Sequence, residues 1–196
     1  MIKNNIKTIV LVGVLAIVGI VFFSTYNGLV TKEEKVEGTW SQVQNQYKRR
    51  ADLVPALVKV AKSYAEQERA TLTAVIEARS AATAIKLDPT NMTAEDLKKF
   101  QQAQGELSQA LGKLMAISES YPDLKSNQNY LDLQAQLEGT ENRISVARKN
   151  FIDATQDYNT AIRRIPTNII ASLFGFDKRP YFEEAESSAN MPEIDL

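Results

Sequence analysis

The chain of 196 residues contains no cysteine and no histidine. The first absence excludes disulfide stapling and thiol chemistry and leaves the redox compartment open. The second removes zinc sites of the usual kind, di-iron bundles built on Glu-x-x-His, and nucleophiles activated by imidazole. Charge of one sign is also missing, because 23 Lys+Arg stand against 24 Asp+Glu for a net charge of -1. A nucleic-acid partner would call for a strongly basic face, so none is expected. Glycine is sparse, and no Gly-rich phosphate loop, internal repeat or strand-period alternation occurs. No cofactor or metal is expected, and any enzyme on this chain would have to work with carboxylates.

What the chain does have is one long apolar run at its start. Residues 9–23 (IVLVGVLAIVGIVFF) hold no polar side chain, and the uncharged span extends over residues 8–31. A bilayer core takes roughly 20 mostly apolar residues at 1.5 Å rise each, and residues 6–30 supply that length with Lys7 as their one charge. Tyr26 falls where an interfacial aromatic would sit. A cleaved signal peptide would need small residues just after the run, where Phe22, Phe23 and Tyr26 stand, and there is no Cys for lipid attachment. The reading is therefore an uncleaved single-pass anchor over residues 1–31. Gly13 and Gly19 are not at GxxxG spacing. Lys3 and Lys7 precede the run, while Lys32 and Lys35 follow among Glu33, Glu34 and Glu37, a balance that leans slightly toward a body outside the cytoplasm.

After the anchor the pattern becomes helical. Val36, Trp40, Val43 and Tyr47 recur at spacings of four, three and four, so the membrane helix is expected to continue into the body, residues 32–182. Lys48, Arg49 and Arg50 suit a helix end, Asp52 a following N-cap and Pro55 a first turn, which predicts a chain reversal there. The alternative is a continuous helix kinked at Pro55. A second helix is predicted over residues 53–84, and the Asp88, Pro89 and Asn91 stretch reads as a turn. Thr93 and Asp96 form a capping-box pattern for a third helix ending before Pro122. Asn127 is placed to cap a fourth that runs to Pro166. The fold class is all-α: an N-terminal transmembrane helix continuing into an antiparallel up-and-down four-helix bundle. Residues 183–196 form an acidic tail expected to be disordered.

Certain residues carry a resemblance. Tyr26-Asn27, Trp40-Ser41-x-Val43, Arg49-Arg50-x-Asp52-Leu53-x-Pro55, Glu119-x-Tyr121-Pro122-Asp123-Leu124, Leu137-Glu138-x-Thr140-Glu141-Asn142-Arg143-Ile144, Ala147-Arg148 and Tyr158-Asn159 resemble the bacterial LemA family across nearly the whole chain. The resemblance implies a membrane-anchored four-helix bundle with no agreed catalytic residues, in a bacterial cell membrane. The chain departs from the family at Gln67, where many members carry His, and at Phe151-Ile152, where many carry Tyr-Asn.

Three groups of residues are candidates for a site. Glu68 and Arg79 on the second predicted helix, with Glu141, Arg143 and Arg148 on the fourth, are a candidate buried ion-pair network, in which Glu68, about sixteen residues from Asp52, and Arg143, sixteen from Asn127, are expected to share a level and pair. That network would be a polar pocket or a device fixing helix register. Arg49, Arg50, Asp52, Glu119, Tyr121 and Asp123 are expected together at the membrane-distal end, as loop closure or a docking end. Ile169, Ile170, Leu173, Phe174 and Phe176 are either a lid on the bundle or an interfacial membrane contact, with Lys178 and Arg179 positioned for anionic lipid. A first soluble helix ending at Arg50 would be overshot by a fourth reaching Ile165, which would drive this patch back toward the bilayer. The expected function is a tethered scaffold or partner-binding module for an unidentified protein, without catalysis of its own. The alternatives are a carboxylate-based hydrolase, which needs converging Asp or Glu side chains, and a lipid or amphiphile carrier, which needs an apolar cavity.

Overall fold

The computed structural model describes residues 2–182, with side chains from Ile9 onward. The expected tail, residues 183–196, lies outside the described residues. Among the described residues six helices follow one another: α1 (Ile2–Tyr64), α2 (Arg69–Ala84), α3 (Ala94–Ser118), α4 (Pro122–Lys125), α5 (Gln128–Ala161) and α6 (Thr167–Phe174). No strand occurs among the described residues.

The first helix corrects the sequence reading. It runs 63 residues, roughly 95 Å, from the apolar span through Arg50, Asp52 and Pro55 without a break. Asp52 stays exposed in mid-helix and is not an N-cap. A proline inside a helix costs roughly 3 kcal/mol, partly because the carbonyl four residues earlier loses its donor. Here that carbonyl belongs to Ala51, and the Nε of Arg79 reaches across from α2 to donate to it at 2.7 Å. Val54, Leu57 and Ala61, all fully buried, hold the turns on either side of the proline in the core. The chain instead reverses over residues 65–68, where Glu68 N–H donates to the Ala65 carbonyl at 3.1 Å.

Cross-helix pairs give the directions. Lys32 meets Asp157 and Tyr64 meets Asn127, so α5 runs antiparallel to α1 along its whole soluble length. Gln104 on α3 reaches Ala82, and Tyr121 just beyond α3 reaches Glu68, so α2 and α3 are antiparallel. The soluble part of α1 and the 34 residues of α5 are each roughly 50 Å long. The overshoot expected from a first helix ending at Arg50 therefore does not arise. The capping box is present in α3: Thr93 accepts from Asp96 N–H at 3.1 Å while the Asp96 carboxylate accepts from Thr93 N–H. The Thr93 hydroxyl also donates to the Asp96 carboxylate, and this bond first, with the one from Thr93 N–H, holds that carboxyl below its ordinary value. Asn127 caps α5 by accepting from Tyr130 N–H at 3.0 Å.

Two apolar clusters fill the body. One gathers Trp40, Val43, Phe100, Phe151 and Tyr158 on the anchor side, and the other Leu57, Leu107, Leu114, Leu124 and Tyr130 on the far side. Beyond α6 the chain climbs back along the body. Asn159 clasps both the N–H and the carbonyl of Arg179, at 2.9 and 2.8 Å, and Phe182 inserts beside Trp40 and Phe151. The apolar part of α1, by contrast, contributes no buried residue over an 18-residue window that is long and apolar enough to cross a membrane.

Candidate functional site

Between the two apolar clusters lies a polar layer whose centre is Arg50. The stripe on α1 continues past Tyr47 at alternating spacings of three and four through positions 50, 54, 57 and 61, so Arg50 occupies a core position. The residue as a whole is 1% exposed. Nη1 donates to Ser108 Oγ at 2.6 Å and to the Glu141 carboxylate at 2.8 Å, while Nη2 donates to the Gln104 carbonyl and to its Oε1 at 2.9 and 2.6 Å. The Nε finds no acceptor. The guanidinium also lies 5.0 Å from the centre of the Tyr47 ring. Gln104, itself buried, turns its amide to the Ala82 carbonyl at 3.1 Å. One side chain on α1 thus ties α3 to α5 directly and reaches α2 through Gln104.

Two grooves open on either side of this layer. One, of ≈ 730 Å³, separates α3 from α5 and is lined by Arg50, Lys98, Gln101, Ser108, Glu141 and Arg148 among others. The second, of ≈ 550 Å³, lies by α1 and α2 and includes Gln44, Tyr47, Lys48, Asp52, Arg79 and Lys86. Among the described residues each is lined by a single carboxylate, Glu141 in the first and Asp52 in the second. Burial pushes the Tyr47 phenol up despite the neighbouring guanidiniums of Arg148 and Arg50. A second buried phenol, Tyr158, is pushed up to about 12 by desolvation first and by Glu33 next. Its hydroxyl has no hydrogen bond of ordinary geometry.

The expected ion-pair network is redistributed. Glu141 pairs with Arg50 and not with Arg143, which is exposed. Among the described residues no ion pair joins Glu68 to Arg143; Glu68 accepts instead from the Tyr121 hydroxyl at 3.1 Å. Arg79 serves the Ala51 carbonyl, and Arg148 lies 4.5 Å from the centre of the Phe182 ring. The expected docking end also divides. Glu119, Tyr121 and Asp123 stand at the far tip beside the α1–α2 turn, whereas Arg49 and Asp52 are exposed roughly 20 Å below Tyr64 and Arg50 is in the core. The C-terminal patch splits too: Ile170 is buried, Phe176 is partly buried, and Ile169, Leu173 and Phe174 are exposed. Arg179 is unavailable to lipid, because it donates to Glu33 at 2.6 Å and to the Thr90 carbonyl.

Sequence reasoning missed the central role of Arg50, the burial of Gln104 and the clasp made by Asn159. The signal for Arg50 was the stripe itself, which runs unbroken once the cation run is not taken for a helix end. Gln104 carried a weaker one, standing three residues before the stripe position Leu107.

These features define a class: an all-helical protein whose body is built on the same helix that carries a membrane-length apolar span. Residues 39–196 match the LemA family, and the chain belongs to it. Among similar proteins, magnetosome protein MamQ 2 of Paramagnetospirillum magneticum is 27% identical over 93% of this chain and 74% of its own length. Magnetosome protein MamQ of Magnetospirillum gryphiswaldense is 28% identical with the same coverage. Protein LemA of Metamycoplasma hominis is 22% identical over 85% of this chain and 72% of its own length.

Proposed function

We propose that the protein is a single-pass scaffold of the bacterial cell membrane, an antiparallel up-and-down four-helix bundle on a stiff post that docks a protein partner and performs no catalysis itself. The observation that carries this reading is the continuity of α1, with the Ala51 carbonyl recapped by Arg79 where Pro55 would otherwise weaken it. A flexible linker would let the body tumble, whereas a helix without a break fixes its height and orientation above the bilayer. The exposed tip with Glu119, Tyr121 and Asp123 then faces away from the membrane as the docking end. A hydrolase needs two carboxylates with separated roles, and among the described residues each groove has one. An amphiphile carrier needs an apolar cavity, and the apolar interior here is filled by Trp40, Phe100, Phe151 and Tyr158.

A photo-crosslinking side chain placed at Asp123 in the full chain, in native membranes, tests the docking end. A discrete adduct that disappears when Tyr121 and Glu119 are changed to Ala supports it, and the absence of any adduct at both Asp123 and Glu119 contradicts it. Reaction of an impermeant maleimide with a single cysteine at Asp123 in intact cells would support the extracytoplasmic orientation; labelling only after lysis would reverse it.

A further inference from the structure

The short helix α6 is the most apolar stretch outside the anchor, and its position is set by aromatic contacts. Phe174 packs edge-on against Phe22 and Tyr26, with ring centres 5.7 and 4.9 Å apart, and Phe176 meets Tyr26 at 5.7 Å. Phe22 belongs to the apolar run, and Tyr26 stands just past it. The contacts therefore place α6 at the level where α1 leaves the apolar span.

Helical spacing divides α6 into three faces. Ile170 and Ala171 are buried against the body. Ile169 and Leu173, four residues apart and so on one side, are 66% and 71% exposed. Asn168 and Ser172, also four apart, make a polar side. Ile165, just before the helix, is exposed as well, and Arg163, Arg164 and Lys178 stand exposed on either side of it. A soluble surface gains nothing from such a cluster, whereas an interfacial helix has this division of apolar, polar and cationic positions.

We propose that α6 is a second, shallow lipid contact, with Ile169 and Leu173 in the headgroup region beside the emerging α1. The occupant is a lipid surface because the patch is continuous with the membrane span through Phe22, Phe174 and Tyr26, and the flanking cations match anionic headgroups. The inference rests on the reading of α1 as a bilayer-crossing anchor. Its effect is to fix rotation about the post: one helix sets the height of the body, and a second contact off its axis sets which way the body faces.

The test uses the full chain in vesicles of phosphatidylcholine and phosphatidylglycerol. Since the chain has no cysteine, single substitutions Val14→Cys, Asn168→Cys, Ile169→Cys, Ser172→Cys and Leu173→Cys each accept one environment-sensitive fluorophore. Lipids carrying a doxyl quencher near the headgroup should quench positions 169 and 173 several-fold more strongly than 168 and 172. Position 14 should be quenched by a doxyl placed deep in the acyl chain. If position 14 behaves so while 169 and 173 are no more quenched than 172, the lipid contact is refuted and the anchor stands. If position 14 is not quenched, the anchor reading itself fails. Unchanged helical circular dichroism in each labelled variant establishes that the fold is intact.

Discussion

Removing Glu141 should cost more than removing Arg50, although Arg50 is the more deeply buried of the two. The Arg50 side chain is 2% exposed and that of Glu141 is 43%. In Arg50→Met the new side chain follows the path of the old stem, and Glu141 and Ser108 turn to water. The group left stranded is the buried Gln104 Oε1, for a cost of about 1–3 kcal/mol. In Glu141→Ala a buried guanidinium loses its counter-charge. Stranding a buried charge costs about 3–5 kcal/mol, and the low end applies here because Ser108 and Gln104 still accept. The double variant has no buried charge left, so its cost should return to that of Arg50→Met alone. The full chain in detergent micelles would be unfolded with urea and followed by the fluorescence of Trp40, its single tryptophan, which lies in the cluster on the anchor side of the layer. Additive single costs, or Arg50→Met as the costlier change, would refute the claim that Glu141 serves to balance a charge fixed in the core.

Arg79→Leu should destabilise the body by about 1–3 kcal/mol, because the buried carbonyl of Ala51 loses its donor. In a Pro55→Ala background, which restores a helical N–H to that carbonyl, the same change should cost clearly less; equal costs would show that Arg79 acts elsewhere. Tyr158→Phe should alter stability at neutral pH by less than about 1 kcal/mol, since the hydroxyl it removes makes no ordinary hydrogen bond. The folded-state pKa of Tyr158, about 12, lies above the unfolded value near 10, so its contribution is fully present below pH 10 and is lost as pH rises toward 12. The variant should show a shallower loss of stability over that interval, and identical slopes would contradict the burial argument.

The parts legible in the sequence were those with local chemistry. The Thr93–Asp96 capping box, the Asn127 cap, the turn near Asp88 and the stop before Pro122 each need only a few neighbouring residues, and the structure contains all four. The reversal was misplaced because the deciding interactions are distant. Lys48-Arg49-Arg50, Asp52 and Pro55 have the composition of a helix end, but Arg79, 24 positions beyond Pro55 in sequence, supplies the missing donor and buried neighbours hold the helix. The real turn over residues 65–68 contains neither glycine nor proline. Ala61, Ala65, Leu72 and Val75 keep helical spacing across it, so periodicity carries no trace of the break. The charge network failed for a related reason: the pairing of Glu68 with Arg143 assumed a helix starting at Asp52, and moving the start to Arg69 shifts the level of every residue on α2. The C-terminal apolar patch was legible as composition alone, and only the Phe174 contacts with Phe22 and Tyr26 fix its height.

The most direct measurement is the distance along α1 in the protein reconstituted in vesicles, read by pulsed electron–electron resonance between spin labels at single cysteines replacing the exposed residues Glu34 and Lys59. A continuous helix through Pro55 separates these positions by 25 residues, or roughly 37 Å at 1.5 Å per residue. A narrow distribution near that value is the expected result. A chain that turned back at Arg50 and packed alongside itself at an interaxial distance of 8–10 Å would bring the labels within about 20 Å. A distribution centred there, or one too broad to define a single distance, would contradict the stiff post on which the account depends.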